Sequence, residues 1–94
     1  MDIFEVILST QAKKDLKSVP AHIAFKLQTW IDGVRNEGVR EMRKRPGLHD
    51  EPLHGKRQGQ RSIKLNKAYR AIYEIDTTGA IHFIEVIEVN KHEY

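Results

Sequence analysis

The chain has 94 residues, 39% of them hydrophobic and 31% charged, and contains no cysteine. This length supports one domain, expected over residues 1–94, with a modest core. No apolar run approaches the roughly 18 residues a membrane span needs, and neither disulfides nor a thiolate zinc site can form.

The opening stretch MDIFEVILST has no cationic lead and no small-residue cleavage site. No secretory signal is therefore expected, and the cytoplasm is the expected compartment. The formal net charge of +3 is unevenly placed. Residues 35–70 hold eleven Lys/Arg against four Asp/Glu, a net +7, and the rest hold five against nine, a net −4. A chain polarised in this way presents a positive face, which suits a polyanion such as nucleic acid. A solvated Lys/Arg surface kept for solubility accounts for the same charge.

Residues 4–9, FEVILS, form a short apolar run that ends at Ser9-Thr10, two good helix N-caps. A strand feeding a helix over about Thr10 to Lys17 is predicted. Pro20 then restarts the helical pattern. Ile23, Leu27, Trp30, Ile31 and Val34 share one helical stripe, and Gly38 is its expected stop. Phe25 and Trp30 are expected in or near the core. After Gly38 the chain turns basic, and Pro46-Gly47 ends any helical turn there. Residues 48–60 show no period. Strand-like runs return in RSIKL (61–65), YRAIYEID (69–76) and AIHFIEVIEV (80–89), separated by turn residues. Three such runs at hairpin spacing predict an antiparallel meander.

The expected fold is α+β: a small, mainly antiparallel four-stranded sheet with two N-terminal helices on one face, in the order β-α-α-β-β-β. Alternation then assigns the faces. If Ile63, Leu65, Ala71 and Tyr73 pack on the helices, Lys64 and Arg70 are neighbours on the open face, where two adjacent cations can cradle a phosphate. Antiparallel sheets also commonly leave a solvated face bearing Lys and Arg. The loop 49–61 and the tail NKHEY (90–94) are both expected to end near that region.

EPLHG (51–55), RSIKL, YRAIY (69–73) and KHEY (91–94) resemble the motifs of the RelE/ParE toxin superfamily, and the likeness covers essentially the whole chain. Within it the chain looks most similar to mRNA interferases of the RelE, YoeB and HigB type. The resemblance implies the toxin half of a type II toxin–antitoxin pair, which cuts mRNA on the ribosome. It also implies a cognate antitoxin partner, whose complex with the toxin binds operator DNA through the antitoxin. Glu51 matches the catalytic glutamate of YoeB-like toxins, Lys64 a RelE lysine, and Arg70 an arginine common to both branches. His92 and Tyr94 match a histidine–tyrosine tail. Here Glu93 separates that pair, and Ser62 stands where RelE has a second lysine, with Arg61 adjoining.

The implied chemistry is metal-free, and no cofactor is expected. The RNA 2′-hydroxyl attacks the phosphorus, a base takes its proton, and an acid protonates the departing 5′-oxygen. The products are a 2′,3′-cyclic phosphate and a 5′-hydroxyl, a route closed to DNA. Glu51 is the candidate base, and Lys64 is the alternative if crowding by other cations makes it give up its proton. Arg70 would stabilise the extra transition-state charge. His92 is the candidate acid, since imidazole titrates near working pH, and Tyr94 would stack on a base or donate a proton. Arg40, Arg43, Lys44, Arg45, Lys56, Arg57 and Arg61 would contact RNA or ribosome phosphates.

Two other readings use the same residues. His49, Asp50, Glu51 and His54 are potential metal ligands, but their spacing fits no strong motif. ParE-type members of the superfamily share the fold yet poison DNA gyrase without cutting RNA, and Glu51, Arg70 and the His/Tyr tail argue against that branch.

Overall fold

The computed structural model describes residues 2–91. Strand β1 (Glu5–Leu8) leads into helices α1 (Thr10–Leu16), α2 (Ala21–Glu37) and α3 (Val39–Arg43). A 3-10 turn at Pro46–Leu48 precedes a two-residue strand, β2 (Glu51–Pro52), and a second such turn spans Gly55–Arg57. Strands β3 (Gln60–Lys64), β4 (Tyr69–Asp76) and β5 (Phe83–Lys91) follow. The sheet runs β1-β5-β4-β3-β2, with β1 parallel to β5 and every other pair antiparallel. It therefore has a fifth strand beyond the four expected, and α3 adds a third helix to the predicted two. Both additions are too short to leave a hydrophobic period.

The helix signals act as their chemistry suggests. The Ser9 hydroxyl accepts the Ala12 N–H at 3.0 Å and caps α1. The predicted stripe of α2 is buried at every position, Ile23, Leu27, Trp30, Ile31 and Val34, each such side chain stabilising the fold by about 1.5–3 kcal/mol. Phe25 is a correction: it is 74% exposed, because two residues past Ile23 it has rotated to the far side of the helix. Gly38 ends α2 at φ 90°, its N–H donating to the Val34 carbonyl at 2.8 Å. A Cβ there would lie 2.2 Å from the Asp2 carboxylate.

Ile63, Leu65, Ala71 and Tyr73 join the helix residues in one core, with the Trp30 and Tyr73 rings 5.2 Å apart. In β5 strict alternation would put Glu88 on the same side as Ile84 and Val86. The register shifts instead, pairing Ile72 with Glu88 and Tyr73 with Val86, so that Ile87 is an extra, bulged residue. Val89 then reaches the core, while Glu88 and Asn90 turn to the open face. Past the end of β1, α1 covers the β5 edge. The Ser9 N–H donates to the Val86 carbonyl at 2.9 Å, its hydroxyl to the Ile87 carbonyl at 2.6 Å, and the Asp15 carboxylate accepts the Val89 N–H at 2.9 Å.

Candidate active site

The face turned away from the helices is ordered by strand register. Glu51, Ser62, Ile72 and Glu88 are successive cross-strand partners in one row, and Lys64, Arg70 and Asn90 form the next. Where β2, β3 and the start of β4 meet, the surface sinks into a cleft of about 190 Å³. His49 and Glu51 form one wall, Ser62 and Lys64 the floor strand, and Tyr69 and Arg70 the far side. Asn66 and Lys67 close the end. Their turn is fixed by the Asn66 side-chain oxygen, which accepts the Ala68 and Tyr69 N–H groups at 2.7 and 2.8 Å.

Arg70 is held from behind. Its Nε donates to Asn90 Oδ1 at 3.3 Å, and Asn90 Nδ2 donates to Glu88 Oε2 at 2.6 Å. The other Glu88 oxygen accepts from Arg57 Nη2 at 2.5 Å. One row further along the same face, Glu74 lies opposite Glu85. The open face is thus cationic around Lys64, Lys67 and Arg70 and acidic beyond Glu88, so its potential is most positive at the cleft end.

The wall bearing His49 and Glu51 is shaped by an unusual backbone. The turn at Pro46–Leu48 ends with His49 in the left-handed region, φ 45° and ψ 48°. The Asp50 side chain is then fully buried, its Oδ1 accepting from Arg61 Nε at 2.7 Å and its Oδ2 from the Tyr73 hydroxyl at 2.6 Å. Burial first, and then the acceptor carboxylate of Asp50, push the Tyr73 pKa up to about 12. Burial works to lower the Arg61 pKa, but the hydrogen bond and charge of Asp50 outweigh it, and the guanidinium ends above its ordinary value.

Of the residues singled out from sequence, Glu51, Lys64 and Arg70 come together in the cleft. His92 and Tyr94 lie outside the described residues. Arg61 and Arg43 face the helix side, where Arg43 Nε donates to the Tyr73 hydroxyl at 3.4 Å. Arg45 is ion-paired with Glu37, Lys44 with Glu41 and Arg57 with Glu88. Arg40 and Lys56 are exposed and form no side-chain salt bridge among the described residues, although the Arg40 backbone N–H donates to the Asp2 carboxylate at 3.1 Å. Asp50, one of the four residues of the metal reading, has both oxygens engaged, and among the described residues no three His, Asp or Glu side chains assemble into a metal site.

Sequence reasoning gave no role to Lys67, Tyr69 or Asn90, and weighed His49 only as a potential metal ligand. Only the position of Asn90, across β4 from Arg70, could have signalled it, and the β5 bulge hid that register.

The family model described as the ParE toxin of the type II toxin–antitoxin system parDE matches residues 6–93. The chain belongs to this toxin family. A comparison with curated protein sequences finds no match. Among solved structures, this ParE-family chain is similar to the YoeB/ParE toxin from Agrobacterium tumefaciens, with 18% identity and TM-score 0.71 over 95% of this chain and 99% of that one. It is also similar to the toxin–antitoxin complex RelBE2 from Mycobacterium tuberculosis, with 21% identity and TM-score 0.70 over 98% and 94%. The third is YafQ from E. coli, with 18% identity and TM-score 0.72 over 94% and 92%. These likenesses show that the chain shares the fold of those toxins. No helix among the described residues is long and apolar enough to cross a membrane.

Proposed function

We propose that this toxin is a ribosome-dependent mRNA endoribonuclease that inhibits translation. The observation that carries this is the convergence of Glu51, Lys64 and Arg70 around one cleft on the sheet face left open by the helices. Glu51 takes the proton from the 2′-hydroxyl as the 2′-oxygen attacks the phosphorus, and Lys64 is the alternative base. Arg70, held by Asn90, and Lys67 meet the charge that builds on the five-coordinate phosphorus. The P–O5′ bond then breaks, and the leaving oxygen takes a proton from the acid. That role belongs to His92, with Tyr94 stacking on a base or taking the acid's place. Arg40 and Lys56, with Lys44, Arg45 and Arg57, bind RNA phosphates through contacts that weaken with salt.

The toxin acts in the cytoplasm and is silenced by a cognate antitoxin protein, through which the pair reaches operator DNA. The solved complex RelBE2 is an example of such a toxin bound to its antitoxin. A second reading has one specific observation in its favour: the matching family model is that of ParE, and ParE-type toxins poison DNA gyrase. Primer extension on a message translated in a cell extract separates the two. Ribosome-dependent breaks establish the nuclease, whereas intact message with gyrase-linearised plasmid establishes the gyrase poison.

A further inference from the structure

The loop that carries His49 and Glu51 is weakly held by its own backbone. β2 is an edge strand of two residues, one of them Pro52, which has no N–H to give to the ladder. His49 adopts a left-handed conformation that a non-glycine residue does not favour, and its side chain is exposed. Something else must fix this wall of the cleft.

Asp50 stands between the two. Its buried carboxylate spans the cross-strand pair Arg61 and Tyr73, which face the helices. Arg61 Nη2 also donates to the Asp50 carbonyl at 3.4 Å, and Arg43 reaches the Tyr73 hydroxyl from α3. We infer that this chain of bonds, Arg43–Tyr73–Asp50–Arg61, centred on the buried Asp50 carboxylate, is a positioning device that sets His49 and Glu51 against Lys64 and Arg70. Arg43 and Arg61 thereby serve the geometry of the site and make no contact with RNA, although the charge pattern alone groups them with the phosphate-binding cations. The inference rests on the nuclease reading.

A buried carboxylate with two strong donors tolerates little movement, because each alternative position leaves a charge unpaired. Small displacements of a reacting group are costly to catalysis, so a lock of this kind acts on turnover more than on substrate affinity. Arg70, Lys64 and Lys67 lie outside the chain of bonds and continue to bind the phosphate when it is broken.

The experiment compares Arg61→Gln, Tyr73→Phe and Arg40→Gln in the full chain. Ribosome binding is followed across a salt series, kcat and KM are measured on a translated message, and amide exchange is followed over residues 49–53. Tyr73→Phe keeps the ring packed on Trp30 and removes only the hydroxyl. Both lock variants should exchange faster at 49–53 and lose about tenfold or more in kcat with KM little changed. Their salt dependence should match the parent's, while that of Arg40→Gln should flatten by about one unit of slope. A flattened slope for Arg61→Gln with unchanged kcat makes Arg61 a phosphate contact and overturns the inference. So does faster exchange, or a lower melting temperature, without loss of kcat. A parent protein that cuts no RNA overturns the nuclease reading instead, and the exchange rates then judge the lock alone.

Discussion

Replacing Arg70 by alanine separates catalysis from stability. Arg70 faces Lys64 across β3 and β4, two like charges directly opposed, and its one side-chain hydrogen bond among the described residues is the 3.3 Å contact to Asn90. Losing that bond costs about 0.5–1.5 kcal/mol. Relieving the opposed charges returns roughly 0.2–1 kcal/mol. The fold should therefore change by less than about 1 kcal/mol, a shift of melting temperature below about 4–8 °C. Catalysis has no such offset: removing a donor that meets developing phosphate charge costs about 10²–10³ in rate, or 2.7–4 kcal/mol. The assay is the rate of message cleavage on translating ribosomes beside a thermal melt of the same preparation. Cleavage within about threefold of the parent, less than 1 kcal/mol of barrier, would refute the placement of Arg70 at the reacting phosphate.

Asn90→Ala should lower kcat by about tenfold while the protein stays folded, since Arg70 loses the partner that aims it; an unchanged rate shows that the aim does not matter. Tyr73 links stability to pH. Its folded pKa of about 12 lies above the ordinary 10.0, so its contribution is intact below pH 10 and is lost as pH rises towards 12. Two units correspond to about 3 kcal/mol at most. Urea midpoints measured into the alkaline range should fall more steeply for the parent than for Tyr73→Phe, and parallel curves contradict this. Gly38→Ala forces a side chain onto a φ of 90° and towards the Asp2 carboxylate. It should cost about 1–3 kcal/mol in urea denaturation, and a neutral effect shows that the α2–α3 junction rearranges freely.

Much of the fold was legible because its signals are periodic. The Ile23–Val34 stripe, the Ser9 cap and the Gly38 stop depend only on local chemistry, and alternation in β3 and β4 placed Lys64 opposite Arg70. β2 left no trace, since two residues cannot show a period. The bulge at Ile87 was equally hidden: FIEVIEV alternates well enough to suggest a regular strand, and only packing decides that Val89 goes inward and Glu88 outward. That shift brings Asn90 across from Arg70, so the support of the guanidinium could not be read from spacing. In the site, the resemblance to RelE/ParE toxins singled out Glu51, Lys64 and Arg70 as chemistry-bearing, but charge alone could not separate Arg61 and Arg43, spent on Asp50 and Tyr73, from exposed Arg40 and Lys56.

The most direct test uses the substrate's own nucleophile. A message carrying a single 2′-deoxynucleotide on the 5′ side of a mapped break is presented on ribosomes, beside its all-ribose twin. The twin should be cut to a 2′,3′-cyclic phosphate and a 5′-hydroxyl, and the deoxy message should stay whole at that position. Equal cutting of both messages, or of neither, contradicts a site in which Glu51, Lys64 and Arg70 drive attack by the neighbouring 2′-oxygen.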